Sequence, residues 1–307
     1  EGGRMATVYF RDRFMPLEEA TVSIRTNALH YGTAVFEGIR AYWESDGGKL
    51  YVFRLPDHYD RMLRNCRVLH LSVGKDVKEL SRLTLDLLRR NAHREDTYIR
   101  PIAFVSSEEI GPRLHGYATG FGVFTLPLGE YLDTSQGLRV GFSTWRRISD
   151  NAIPARCKVA GGYVNSALAR TEAAAQGYDE ALFLTEDGVL CEGSAENIFL
   201  VRGGRLITPD LSANILEGIT RDTILTLARE ALGLPVEERR VGRTEVYLAD
   251  EVFLCGTGAQ VAPVVEVDRR PVGEGAIGPV TAKLQRLYFD VVRGKVPAYR
   301  HWLTPVY

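Results

Sequence analysis

No apolar run in this chain approaches the roughly 20 residues that a membrane-spanning helix needs, so no such helix is expected. Cysteine is scarce. The four present, Cys66, Cys157, Cys191 and Cys255, form no C-x-x-C pair and have no histidine at zinc-finger spacing. The sequence therefore offers no disulfide framework and no metal site, and the cysteines are expected as small buried hydrophobes in a reducing cytoplasm. Charge of one sign is also missing. Lys and Arg number 38 against 39 Asp and Glu, for a formal net charge of -1, so no basic field favours nucleic acid or an anionic membrane. Glu1 to Phe10 has no basic segment followed by an apolar core, so no secretory leader is expected. There is no G-x-G-x-x-G loop, no internal repeat and no low-complexity tract.

What is present is ordinary for a globular protein. Hydrophobic residues make up 45% and charged residues 25% of 307, enough for two domains with sizeable cores. Strand-like and helix-like segments alternate, which indicates a mixed α/β class. Thr7 to Phe10, Leu50 to Phe53, Thr97 to Val105 and Gly120 to Leu126 read as strands, Met15 to Leu17 as a turn and Ala20 to Ile24 as extended. Helical spacing runs from Pro56 to about Leu71 and from Asp76 to Asn91. The polar, turn-rich segment 129–137 reads as a linker between a small domain, 1–128, and a larger one, 138–307. In the second part the pattern predicts a strand from Leu138 and helices at Tyr163 to Gln176, Ile219 to Leu232 and Pro279 to Val292, with short strands between them.

Chemistry concentrates around Lys158. It is followed by Val159, Ala160, Gly161, Gly162 and Tyr163, an apolar and small-residue setting that would desolvate an amine and favour its neutral, nucleophilic form. Such a lysine suits a Schiff base with pyridoxal phosphate, which would also need a phosphate site and partners for the ring nitrogen and hydroxyl. Gly218 and Thr220 open the strongest helix of the second half, where unpaired N–H groups attract an anion. The turn Cys255-Gly256-Thr257-Gly258-Ala259 can make an anion nest, and Arg61 can add a bidentate charge. Glu192, among small residues, can pair a ring nitrogen, and Tyr163 can bond a ring hydroxyl. Each residue also has an ordinary structural reading. Lys158 and Glu192 suit a solvated loop, Thr220 a helix cap, Arg61 a helix surface and Tyr163 a core.

Six segments in one order tie these residues together. They are Ala28 to Arg40, with its glycines at Gly32 and Gly38, Tyr98-Ile99-Arg100-Pro101, Lys158 to Tyr163, Glu192 to Asn197, Gly218 to Asp222 and Leu248 to Phe253. Through them the chain resembles the branched-chain amino acid aminotransferases, pyridoxal-phosphate enzymes of fold type IV, over about Phe10 to Phe289. The resemblance implies two α/β domains with the active site between them. It implies that Lys158 carries pyridoxal 5'-phosphate and moves the proton. Glu192 then faces the pyridine nitrogen, Tyr163 the ring hydroxyl, and Leu216 packs on the ring. Arg61, Gly218, Ile219, Thr220 and Thr257 form the phosphate site. Tyr31, Phe36, Gly38, Tyr98, Arg100, Leu128 and Tyr131 lie on the substrate side, and Thr257, Gly258 and Ala259 receive the α-carboxylate. Arg100 is the residue expected to meet the tail of glutamate.

The same resemblance implies ping-pong exchange of the amino group between leucine, isoleucine or valine and 2-oxoglutarate, in a homodimer or larger homo-oligomer. Leu128 stands where some relatives have tryptophan. Thr257-Gly258-Ala259-Gln260 stands where Thr-Ala-Ala-Glu is common. Both departures leave room for other donors. The rivals are D-amino acid and (R)-amine transaminases, aminodeoxychorismate lyase and, from another class, a non-catalytic protein that binds pyridoxal phosphate.

Overall fold

The computed structural model describes residues 6–129 and 135–307, and these divide into two units. The first holds the described residues as far as Gly129, with Lys158–Gly161 and Val291–Tyr307; the second holds the described residues up to Cys157, with Gly162–Asp290.

The first unit contains β1 (Thr7–Phe10), β2 (Arg13–Pro16), α1 (Asn27–Tyr31), β3 (Ala34–Phe36), β4 (Ile39–Glu44), β5 (Lys49–Phe53), α2 (Leu55–Val68), α3 (Val77–Asn91), β6 (Thr97–Val105) and β7 (Thr119–Pro127). With a strand at Leu303–Pro305 these form an antiparallel sheet in the order Leu303–Pro305, β5, β4, β6, β7, β1, β2, and β3 pairs with β6. The segment expected as a turn at Met15 to Leu17 begins inside β2 instead. The turn lies earlier, at Arg11 and Asp12, whose φ angles are 50° and 60°. Neither is glycine or asparagine, so the usual hairpin signal is missing. No strand forms at Ala20 to Ile24.

Helix α3 starts on a capping box. Asp76 accepts from the Glu79 N–H and Glu79 returns the bond, an arrangement worth about 1 kcal/mol. Helix α2 buries more than apolar residues. His58, Arg61 and Asn65 share its buried side with Leu55, Tyr59 and Met62.

The second unit contains β8 (Leu138–Arg146), α4 (Tyr163–Ala175), β9 (Glu180–Leu184), β10 (Leu190–Gly193), β11 (Asn197–Arg202), β12 (Arg205–Thr208), α5 (Ile219–Thr226), β13 (Val236–Glu238), α6 (Arg243–Tyr247), β14 (Glu251–Gly256), β15 (Gln260–Val267), β16 (Arg270–Pro271) and α7 (Pro279–Val292). Its sheet runs β10, β9, β8, β15, β14, β11, β12, β13, with β16 on β15. Strands β8 and β9 are parallel, and α4 is their crossover. Ala169 and Ala173 of α4 pack with Ala181, Phe183 and Cys191 of the sheet, since alanine lets a helix approach closely. The helix expected to run to Leu232 changes character at Leu227, where a π-helical turn to Ala231 takes over from α5.

Gly32 shows most clearly how backbone choice constrains the first unit. It ends α1 in the left-handed region, at φ 66°, and a Cβ there would lie 2.7 Å from Gly161 Cα. Both facts demand glycine. Gly32→Ala is expected to cost at least about 1 kcal/mol and to lower the midpoint in urea unfolding with an unchanged m-value.

Candidate active site

Lys158 is held by its backbone. Its carbonyl accepts the Phe36 N–H at 3.1 Å, Val159 bridges to Val35, and the Gly161 N–H donates to the Gly32 carbonyl at 3.1 Å. Asn65, with its amide turned so that Oδ1 meets the donor, accepts the Lys158 N–H at 3.0 Å. A lysine between apolar residues and glycines thus sits in an ordered turn, which local sequence alone does not dictate.

The half-buried side chain reaches over an aromatic ring. Lys158 Nζ lies 5.0 Å from the centroid of Phe36, and the Arg100 guanidinium lies 4.6 Å from the same centroid. Arg100 is aimed by Tyr98, whose hydroxyl accepts from Nε at 3.2 Å and Nη2 at 2.7 Å. Gly38 makes room, because a Cβ there would collide with that hydroxyl. Phe36, Gly38, Tyr98, Arg100 and Lys158 are therefore brought together.

Arg61 is buried on α2, but its bidentate contact goes to Glu37. Nε donates to Oε1 at 2.7 Å and Nη2 to Oε2 at 2.8 Å. His58 Nδ1 lies 2.8 Å from Glu37 Oε2. Burial pushes the imidazole pKa down against the pull of Glu37, so the neutral ring donates from Nδ1. Glu37 is fully buried, yet the Arg61 charge and the His58 bond outweigh its desolvation and hold its carboxyl at about 2. Glu37 was not among the expected residues. Its signal is the spacing of His58, Arg61 and Asn65 along one buried side of α2, since buried polar groups imply a partner.

In the second unit, Glu192 lies on β10 and is 4% exposed. Arg147 Nη2 pairs with Oε1 at 2.9 Å, while Oε2 accepts from Asn197 Nδ2 at 3.1 Å and the Leu216 N–H at 3.0 Å. Asn197 also donates to the Leu216 carbonyl at 3.0 Å, and a Cβ at Gly218 would collide with its Oδ1. Glu192, Leu216 and Gly218 are thereby joined through Asn197. Neither Arg147 nor Asn197 was expected at the site. The side-by-side order of β8, β9 and β10 brings Arg147 to Glu192, whereas Asn197 closes the Glu192 segment itself.

The remaining expected residues fall as follows. Gly218 is the N-cap of α5 and has no side chain to cap it, so Ile219 and Thr220, both buried, open its first turn. Tyr163 is the first residue of α4. Thr257, Gly258 and Ala259 form the β14–β15 turn, and Gln260, which opens β15 after it, is left-handed at φ 59°. Register pairs Cys255 with Asn197, so this turn follows directly beside the Glu192 segment. Tyr31 is 39% exposed and accepts the Gly111 N–H. The Leu128 carbonyl accepts from Arg40 at 2.7 Å. Tyr131 lies outside the described residues. Among the described residues, no group of His, Cys, Asp and Glu is placed to hold a metal ion.

A family model described as amino-transferase class IV matches residues 34–267. The chain belongs to the class IV aminotransferases. It is 50% identical to a protein named probable branched-chain-amino-acid aminotransferase from Aquifex aeolicus, over 99% of this chain and 97% of that one. Its fold is similar to the crystal structure of the branched-chain aminotransferase of Thermoproteus uzoniensis with norvaline, at TM-score 0.95 and 42% identity over 99% and 100% of the two chains. It is also similar to the branched-chain amino acid aminotransferase of Thermobaculum terrenum in its PLP-form, at TM-score 0.94 and 43% identity over 99% of each chain. The donor set of a class IV aminotransferase fits pyridoxal phosphate in chemistry. An ordered lysine and a buried carboxylate already surrounded by donors are both present, as is a helix opening on glycine.

The Glu37 cluster generates a pH prediction. Its folded-state pKa lies below the ordinary 4.5, so its stabilisation is complete above about 4.5 and is lost as pH falls toward about 2. Glu37→Gln removes one partner of a buried pair, is expected to cost about 3–5 kcal/mol at neutral pH, and should flatten that acid limb in unfolding titrations.

Proposed function

We infer that this class IV aminotransferase exchanges the amino group between branched-chain L-amino acids and 2-oxoglutarate, using pyridoxal 5'-phosphate. The observation that carries this reading is the Phe36 ring within reach of both Lys158 Nζ and the Tyr98-aimed Arg100. One substrate brings an aliphatic side chain, which suits an aromatic wall. The other brings a second carboxylate, which must find a charge partner on leaving water. The names of the relatives, the norvaline in one of their structures and the PLP-form of another support it.

The bound cofactor supplies an electron sink for the carbanion left by proton loss. Lys158 would hold it through Nζ, and its amine would move the proton at the substrate α-carbon. Glu192, fixed by Arg147 and Asn197, would keep a proton on the ring nitrogen, and Tyr163 would bond the ring hydroxyl. Leu216 would cover the ring. Arg61, oriented by Glu37, would hold phosphate with Gly218, Ile219, Thr220 and Thr257. The Thr257-Gly258-Ala259 turn would receive the α-carboxylate. Tyr31, Leu128 and Tyr131 would complete the substrate side, and Leu128 with Gly258 would set which bulkier donors fit.

The reading extends to a homodimer or larger homo-oligomer in the cytoplasm. Ile24, Leu29 and Ile110 are 82%, 64% and 90% exposed. They stand on segments tied by the Arg25–Glu108 pair and the Gly111–Tyr31 bond, an apolar patch suited to a second copy. The free cysteines fit a reducing compartment, and among the described residues no helix is long and apolar enough to cross a membrane.

Half-reactions followed by the visible absorbance of the lysine-bound cofactor test the donor class. L-leucine should bleach it and 2-oxoglutarate should restore it. A response to D-alanine or (R)-1-phenylethylamine without one to L-leucine would refute the reading. Lys158→Ala should lower kcat by roughly 10²-fold to 10⁴-fold or more. Arg100→Met should raise KM for 2-oxoglutarate at least about tenfold, with a much smaller effect on leucine.

A further inference from the structure

Beneath Glu192 lies a group that none of these roles uses. Glu196 precedes β11 and is 4% exposed, and Glu180 at the start of β9 is fully buried. With Glu192 they make three buried carboxylates. Two guanidiniums answer them. Arg147 pairs with Glu192 and Arg170 of α4 pairs with Glu180, which also accepts the Ala181 N–H at 2.7 Å. Among the described residues, Glu196 is left with a neutral donor, the Ala195 N–H at 3.1 Å on Oε2. Its carboxyl is folded under the turn that Glu192 begins. A Cβ at Gly193 would stand 2.8 Å from Oε2, and the Glu196 carbonyl accepts the Gly193 N–H at 2.7 Å.

A third buried negative charge with only an amide to meet it is costly, and a proton removes that cost. We propose that Glu196 is held as the neutral acid and acts as a positioning residue, keeping the Glu192–Asn197 turn closed so that Glu192 stays fixed toward the cofactor. Burial first, and then the like charge of Glu180, push the Glu196 carboxyl up to about 8 against the Ala195 N–H bond and the pull of Arg170, with a smaller push from Glu192. Cys255, which faces it from β14, stays a neutral thiol because burial pushes its pKa up. Ionisation of Glu196 above about pH 8 would set it against Glu180 and Glu192 together and open the turn. The cofactor part rests on the reading of Glu192 as the ring-nitrogen partner. The proton does not.

The test uses the full-length holoenzyme and the variants Glu196→Gln and Glu180→Gln. Infrared titration should show the carbonyl stretch of a buried carboxylic acid at neutral pH, disappearing near pH 8. It should be absent in Glu196→Gln and present in Glu180→Gln. In urea unfolding the wild type should lose stability relative to Glu196→Gln as pH rises from about 4.5 to about 8. A raised folded-state pKa gives stability that is complete below the unfolded value and lost as pH climbs through the folded one. Pyridoxal phosphate affinity should weaken roughly tenfold from about pH 6.5 to about pH 9 in the wild type and stay level in Glu196→Gln. No acid band at neutral pH, a band that survives Glu196→Gln, or a stability difference that does not change with pH would overturn the proposal. Should Glu196→Gln fail to fold, the wild-type band and its titration decide alone. A cofactor spectrum unchanged in Glu192→Gln would defeat the reading of Glu192 and leave the Glu196 proton standing.

Discussion

A carboxylate taken out of water must be met by cations or donors, or it must carry a proton. That constraint organises both halves of this chain. Glu37 is met by Arg61 and His58, and Glu192 by Arg147, Asn197 and the Leu216 N–H. Glu180 is met by Arg170. The partners come from distant elements, so each carboxylate locks several of them. Glu37 fixes α2 against the start of β4. Glu192 fixes the end of β8, the start of β11 and the approach to α5. Such pairs contribute little net stability compared with apolar packing, but removing one partner leaves an uncompensated charge. Their value lies in uniqueness, since a site with half its partners displaced is strongly disfavoured and the side chains keep one arrangement.

The same logic separates what was legible in the sequence from what was not. Helix α3, strand β6 and helix α7 follow from local pattern because an amphipathic stripe or a β-rich run needs no distant information. The hairpin at Arg11 and Asp12 does not, since two ordinary residues at positive φ carry no turn signature. Among the site residues, Lys158, Glu192 and Thr220 sit in short motifs with glycine beside them and could be singled out locally. Arg147 and Asn65 could not. Arg147 meets Glu192 only because β8, β9 and β10 lie side by side, and Asn65 meets Lys158 only because α2 presents it there. The familiar segments located the residues assigned to the chemistry, and the topology supplied the ones that hold them still.

Arg61 illustrates how the two kinds of information combine. Sequence suggested a free bidentate cation, whereas the structure places that fork on Glu37. A neutralised but rigid arginine is a better anion-site component than a mobile one. Less side-chain entropy is lost per bond formed, and the donors already point one way. The lysine follows the same principle from the backbone side. Both its N–H and its carbonyl are occupied, and the chain that follows is pinned at Val159 and Gly161.

Accepting leucine and glutamate through one set of residues imposes a conflict, because a pocket dry enough for the first strands the charge of the second. Under the proposed reading, the Phe36, Tyr98 and Arg100 arrangement would resolve it by lowering the cost of leaving Arg100 without a substrate carboxylate. The guanidinium lies near the faces of Phe36 and Tyr98 and donates two bonds to the Tyr98 hydroxyl. Those contacts stabilise the cation when an aliphatic side chain is present, by about 0.5–2 kcal/mol for each aromatic face, yet a carboxylate can displace the neutral hydroxyl because charge-assisted bonds are roughly twice as strong. Under that reading, dual specificity would turn on an exchange of hydrogen-bond partners at one arginine. Gly38 would be essential to such an exchange, since a Cβ there would collide with the hydroxyl that accepts from Arg100.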